Sequence, residues 1–477
     1  MANRLRLTVL LALAMLNVFT LGAGVAVAGL LPARLALWQI PWVKAAPLAA
    51  TGTVLAPADP AGALPTRAGL ASVLTPLIAS RSLGTHVGVV VTDLASGSVL
   101  YSLAATTPAT PASSAKVATA VAALSVLGPG ARFTTRVVSG PTHGSVVLVG
   151  GGDPTLAAGR PPAADYPRPA TLASLAAQTA RWLRASGLQT VRLRYDDSLF
   201  TGPATAPGWT TSYITTGNVT PISSLEVDQG RLTAAGKPED ADNPGNFRPR
   251  SFTPAADAAT AFAGLLRGQG IRVLGGVTPG RAPAGAATVA SVRSPCLSAI
   301  VGWMLRESNN VIAEDLARQV ALATGRPGSF SGAAAAVTAA AVRLGISGIH
   351  LVDGSGLSPL DKISPAALAG LVRVAAGGRQ AALRAAITGM PVAGFSGTLA
   401  AGQSVFGGFF GPAALGMVQA KTGNLTTVVS LTGIVTTTAG RLLAFAFMAD
   451  QLPAGQLVHA AGVIDQMATA LAGCGCH

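Results

Sequence analysis

The sequence predicts an α+β protein: a mixed sheet with helices, interrupted by a large inserted module and preceded by an N-terminal membrane segment. Three observations predict it. The first is an uncharged run, Leu7 to Leu31, near the start of the chain. The second is strand-rich text at both ends of the remaining sequence, with long Ala-rich helical stretches before the last strands. The third is a change of character from about Ala157 to Ala286, where Pro-rich loops and long polar connections take over. At 477 residues the chain exceeds what one compact core holds, so more than one domain is expected.

Taken in order, Leu7 to Leu31 follows Arg4 and Arg6. As a helix it would reach roughly 37 Å, enough for a hydrocarbon core of about 30 Å. Trp38 and Trp42, with Arg34 and Lys44, have the character of an interfacial anchor. Ala26 to Ala28 also offers a small-residue cleavage site, so residues 1–32 are a signal anchor or a signal peptide, and either exports the rest. Residues 33–65 form a Pro/Ala-rich linker. "HVGVVVTDLASGSVLYSL" alternates into two strands around a Ser-Gly turn, and Ala112 to Leu127 follows as a helix behind Pro111. "RFTTRVV" and "GSVVLVGGGDPTL" are strands; "ATLASLAAQTARWLRASG" is a helix and "TVRLRY" a strand inside the module. From Val289 onward Ala-rich helices alternate with strands and end in "LLAFAFMA" and a terminal helix. The expected division is a discontinuous domain, 66–130 and 287–477, around a module at 131–286.

The formal net charge is +14, which suits an anionic partner such as a wall polymer, a lipid surface or a nucleic acid. The arginines are scattered singly, however, and no zinc-finger or RNA-binding signature accompanies them, so no nucleic-acid partner is expected. Cys296, Cys474 and Cys476 form neither a disulfide framework nor a metal pattern; a bridge from Cys296 to the tail stays open.

Only five residues are lysines, and two of them stand in short chemical clusters. Ser113 and Lys116 are one helical turn apart on one face. Near a helix N-terminus an anion on Ser113 is favoured, and a desolvated Lys116 can accept the serine proton. Ser308 and Asn310, in "ESNNVIAEDLAR", pair a hydroxyl that can relay a proton with an amide that can hold a carbonyl or the lysine. Lys421, Thr422 and Gly423 lie in strand-like text, where Lys421 can hold a carboxylate and Gly423 admits close approach. The N–H of Asn424 can join that of Ser113 as an oxyanion hole. Each cluster alone is weak: a plain surface helix, an N-cap and a common tripeptide explain them equally well. In the order S-x-x-K, S-x-N, K-T-G they constitute the signature of penicillin-interacting serine enzymes. A Ser355-His350-Asp353 triad is disfavoured because no nucleophile elbow surrounds it.

At these residues the chain resembles the D-alanyl-D-alanine carboxypeptidases of the class C low-molecular-mass penicillin-binding proteins, peptidase family S13. "GGGDPTL", "DDSLF…PGW", "LVDGSGLS" and "GFSGTL" are similar to the family too, and the likeness runs from about Thr66 to the last helix. It implies a core like that of the serine β-lactamases and transpeptidases, with the module inserted near the active site. It implies Ser113 as acylated nucleophile, Lys116 as its base, Ser308 as proton relay, Asn310 as substrate-positioning residue, and Lys421 with Thr422 as the site of the terminal carboxylate. Asp196 matches an acidic residue that meets the free amine of the diaminopimelate side chain; alone it reads equally as a turn cap. Two departures stand out: Asn424 where the family usually has Thr, and "AAGQSVFGG" after "GTL" where an arginine is usual.

The expected activity is serine D-Ala-D-Ala carboxypeptidase action on peptidoglycan stem peptides through an acyl-serine, with β-lactam antibiotics as covalent inhibitors. The expected place is the cell envelope, outside the membrane and held to it by the N-terminal segment, or secreted if that is cleaved. No metal or organic cofactor is required. Alternatives are a D-alanyl-diaminopimelate endopeptidase with the same site, a β-lactam hydrolase, and a catalytically silent wall-binding scaffold.

Overall fold

A computed structural model describes residues 59, 61–159, 166–232, 248–378, 380–402 and 406–476. The signal segment 1–32 and residues 33–58 and 60 of the linker lie outside the described residues. Among the described residues no helix is long and apolar enough to cross a membrane.

The body opens with α1 (Arg67–Ile78), started by Thr66, whose side chain accepts the Gly69 N–H at 3.0 Å. The expected hairpin follows as β1 (Val87–Asp93) and β2 (Val99–Leu103). The helix expected over Ala112 to Leu127 divides. Ala112–Ala115 is a 3₁₀ turn, and α2 (Lys116–Leu127) starts only at the lysine. Ala112 has φ +48°, which stops the α-helix from extending back to Pro111.

The middle of the chain supplies β3 (Thr134–Ser139), β4 (Ser145–Val149), α3 (Leu172–Ala185), β5 (Thr190–Asp196), α4 (Pro254–Gly268), β6 (Arg272–Val273), β7 (Thr278–Pro279) and β8 (Thr288–Arg293). They build a sheet of their own, ordered β6-β5-β4-β3-β8 with β7 also on β5. β4 runs parallel to β5, whereas β3 is antiparallel to β4 and β8. One face carries Val137, Val146, Leu148, Val191 and Leu193, which pack with Leu175, Leu183 and Phe262 of α3 and α4. β8 returns beside β3, so the module's sheet reaches Arg293 rather than stopping at the expected 286. Local text cannot show this, because "TVASVR" reads as a strand whichever sheet it joins.

The remainder is α5 (Leu297–Arg306), α6 (Asn310–Ala323), α7 (Phe330–Arg343), the short pair β9 (Ile349–His350) and β10 (Lys362–Ile363), α8 (Pro365–Ala376), β11 (Val418–Leu425), β12 (Val428–Thr436), β13 (Leu442–Ala449) and α9 (Leu457–Ala472). The main sheet is ordered β11-β12-β13-β1-β2 and is antiparallel throughout. "LLAFAFMA" explains its layers. Ala444, Ala446 and Met448 face α2, α5, α6, α7 and α8, whereas Leu443, Phe445 and Phe447 face α1 and α9. A strand buried on both faces loses its polar alternation, and period two sorts its small side chains onto one face and its aromatics onto the other.

Cys474 and Cys476 are disulfide-bonded to each other and Cys296 is free, so the open bridge from Cys296 to the tail is not made. Cys474 packs with α1 and α9, whereas Cys296 caps α5.

Candidate active site

The site forms where the 3₁₀ turn meets the edge strand β11. Thr110 N–H donates to Asp450 Oδ2 (2.7 Å), and Ser430 Oγ of β12 donates to Pro111 O (2.7 Å) and lies 2.8 Å from Ser114 Oγ. These contacts pin both ends of the turn to the sheet. Gly423 is required here, since a Cβ would come within 2.6 Å of Pro111 O and 3.0 Å of Ser114 N. In a 3₁₀ turn residues i and i+3 eclipse. Ser113 therefore stacks directly beside Lys116, with Nζ 2.8 Å from Oγ.

Lys116 is fully buried, while Ser113 is half-buried and forms the open side of the pair. Nζ also donates to Asn310 Oδ1 (2.6 Å) and to Ser355 O (2.8 Å). Both of those oxygens can only accept. A neutral amine has two N–H bonds to give them, which leaves its lone pair facing the Ser113 hydroxyl. Burial supports that state: it pulls the Lys116 pKa down to about 7, against the opposing charges of Asp353, Glu314 and Asp361.

The second lysine pairs with the other half of S-x-N. Lys421 Nζ donates to Ser308 Oγ (2.9 Å) and to Thr422 O (2.7 Å). Burial, reinforced by the charge of Lys116, holds its pKa well below the ordinary lysine value. Ser308 has φ +56°, in the left-handed region, at the turn between α5 and α6. Thr422 Oγ1 lies 2.8 Å from Thr398 Oγ1 of the "GTL" segment. Asn424 is exposed. Ala420 N–H donates outward to Pro391 O, away from β12. Two strand periods later the Asn424 N–H points the same way, onto the open edge.

Ser113, Lys116 and Asn310 thus share one set of contacts and Ser308, Lys421 and Thr422 a second, with Gly423 packed against the serine turn. Asp196 stands apart from these contacts. Its Oδ1 accepts Ser198 N–H (3.0 Å) and its Oδ2 accepts Ala282 N–H (2.7 Å). Burial pushes its pKa up, but those N–H groups outweigh it and hold the carboxyl below the usual range. The triad reading of Ser355, His350 and Asp353 is not built. Asp353 accepts the N–H groups of Ser355, Gly356 and Ser358 and the indole N–H of Trp209. His350 is exposed on β9.

Two further residues at the site, Glu314 and Asn218, are not among those singled out from the sequence. Glu314 accepts Gly354 N–H (2.9 Å) and Ser355 N–H (2.8 Å), and so places the Ser355 carbonyl on Lys116. Glu314 sits in "ESNNVIAEDLAR" four residues after Asn310, one turn along the same face of α6, which is a readable signal. Asn218, whose carbonyl accepts Asn310 Nδ2 (2.9 Å), has no such signal.

The model of the D-Ala-D-Ala carboxypeptidase 3 (S13) family matches residues 70–247 and 231–472. The chain belongs to this family. Within reach of the S13 chain are Carboxypeptidase DacB of Mycolicibacterium smegmatis, 39% identical over 438 residues that cover 91% of this chain and 90% of that one, and Carboxypeptidase Rv3627c of Mycobacterium tuberculosis, 38% identical over 427 residues covering 88% and 87%. Among solved structures, penicillin binding protein 4 (dacB) from Haemophilus influenzae superposes with a TM-score of 0.65 at 22% identity, over 84% of this chain and 98% of that one. That likeness shows the shared α+β fold of the S13 chain.

Proposed function

We infer that this S13 chain is a serine-type D-Ala-D-Ala carboxypeptidase acting on peptidoglycan stem peptides. The observation that carries it is Lys116, buried and held by two acceptors so that its lone pair faces Ser113 Oγ at 2.8 Å. Ser113 attacks the carbonyl of the terminal D-Ala-D-Ala bond while Lys116 takes its proton. The N–H groups of Ser113 and Asn424 hold the oxyanion. Ser308 passes a proton to the departing D-Ala amine, and Lys421 with Thr422 holds the D-Ala carboxylate. Water then cleaves the acyl-serine by the reverse path. The second N–H of Asn310 Nδ2 holds a substrate carbonyl. Asp196 is assigned to the substrate's free amine on the resemblance; each of its oxygens keeps an acceptor site beyond the one backbone N–H it takes.

Residues 66–130 and the part of 287–477 that follows β8 act as the catalytic domain, and 131–286 together with β8 as the inserted module. The enzyme works in the envelope outside the membrane, held by the N-terminal segment, or is secreted where that segment is cleaved. A β-lactam closes the same acyl bond, in keeping with the Haemophilus influenzae protein 4 structure complexed with a novel β-lactam.

Intact-protein mass spectrometry after incubation with penicillin tests this. One adduct on the Ser113 peptide, absent from Ser113→Ala, is expected; folded protein without an adduct would overturn the reading in favour of a silent scaffold. Product analysis on crosslinked and uncrosslinked muropeptides separates carboxypeptidase from endopeptidase action.

A further inference from the structure

The turn between α5 and α6 carries two successive asparagines, and the inserted module holds both. Asn310 Nδ2 donates to Asn218 O at 2.9 Å, while Oδ1 faces Lys116 at 2.6 Å. Asn309 caps α6 by accepting the Ile312 N–H (3.0 Å), and its Nδ2 donates to Gln229 Oε1 at 2.7 Å. Asn218 and Gln229 belong to different segments of the module, and one buried guanidinium joins them. Arg250 Nε donates to Gly217 O (2.9 Å), one residue before Asn218, and Arg250 Nη1 donates to Gln229 O (2.9 Å). Gly217, at φ +83°, is in a region that glycine adopts readily, whereas Gln229 sits in backbone unusual for a non-glycine residue, φ +57°. A conformation such as that of Gln229 persists where the surroundings dictate it.

The two ends of an asparagine amide have the same shape, and only their partners decide which end points where. The Asn218 carbonyl can accept but not donate, so it selects the nitrogen end and turns the oxygen end to Lys116. We propose that Arg250, acting through Gly217-Asn218 and Gln229, is a positioning residue for the S-x-N amide, so that the inserted module decides which end of Asn310 faces the catalytic lysine. Without this bracket the amide nitrogen can turn to Lys116 and set donor against donor. That disfavours the ammonium form and misplaces the amine relative to Ser113.

The inference rests on Ser113 and Lys116 doing the chemistry, and its test separates the two. The rate of Ser113 acylation by penicillin is measured from pH 5 to 9 for the full chain and for Arg250→Lys, Gly217→Ala and Gln229→Met, with thermal melting to select folded variants. Lys116 is faced by Asp353 and Asp361 from their loop, Glu314 from α6 and Lys421 from β11, none of which these substitutions alter. Folded variants are expected to acylate roughly 10- to 100-fold more slowly at the alkaline plateau. Their pH midpoint should fall below that of the wild type. A purely structural role would lower the active fraction and leave the midpoint in place. Wild-type rate and midpoint in any folded variant would overturn the positioning role while leaving the active site intact. A wild-type chain that penicillin does not acylate would overturn both.

Discussion

Lys421 Nζ donates to Ser308 Oγ over 2.9 Å, while Lys116 Nζ takes Asn310 Oδ1 at 2.6 Å, so the two polar ends of S-x-N are divided between the two buried lysines. The division assigns different work to each lysine. Lys116 is the one in contact with Ser113, and Lys421 sits on the edge strand where a carboxylate can approach.

The Lys116 pairing leads to a pH dependence. Only a neutral amine accepts the Ser113 proton, and burial brings the Lys116 pKa to about 7. Acylation by penicillin should therefore rise with pH, reach half its plateau near 7, and fall about tenfold for each further pH unit on the acid side. A rate profile flat from pH 5 to 9 would exclude Lys116 as the base.

Lys421 should discriminate by substrate charge. Lys421→Met is expected to lower kcat/KM about 100-fold on a stem peptide with a free terminal carboxylate, since a desolvated charge pair is lost. The loss should be much smaller on the same peptide carrying a C-terminal ester. Equal losses on the two peptides would remove the carboxylate from Lys421.

Gly423→Ala tests the close packing of β11 against the serine turn. The added methyl would press on Ser430 Oγ and Pro111 O, and the turn carrying Ser113 must shift. A destabilisation of about 1–3 kcal/mol is expected, together with slowed acylation. Urea unfolding and adduct formation measured side by side would show both, and unchanged acylation would mean that the turn tolerates the methyl.

Far from the site, Arg441 clamps Asp93 with Nε to Oδ1 at 2.6 Å and Nη2 to Oδ2 at 2.8 Å, inside the protein. Burial raises the Asp93 pKa, but the bonds from Arg441 and Ser96 outweigh it and bring it down to about 2. Arg441→Met should destabilise by about 3–5 kcal/mol at neutral pH, because one buried charge is left behind. The folded pKa lies below the unfolded value, so the pair's contribution is present above about pH 4 and fades as pH falls toward 2. Denaturation at pH 7 and pH 3 should show the gap between wild type and variant narrowing; a constant gap would contradict the linkage.

The sequence by itself determined the elements and the chemical vocabulary. Period two marked β1, β2, β3 and β5, and the order of the three clusters singled out Ser113, the two lysines and S-x-N as one candidate site, because strand alternation and motif spacing are local properties. Tertiary structure decided which groups meet. A left-handed Ala112 turned the expected helix start into a 3₁₀ turn and eclipsed Ser113 with Lys116. Lys116 reaches Asn310 across 194 residues and the Ser355 carbonyl across 239, distances over which no periodicity speaks. The same holds for the Asn218 carbonyl that orients Asn310 and for β8, which joins the module's sheet by pairing with β3. Backbone carbonyls carry no side-chain identity, and strand partners are chosen by packing; neither is written in the residues that use them.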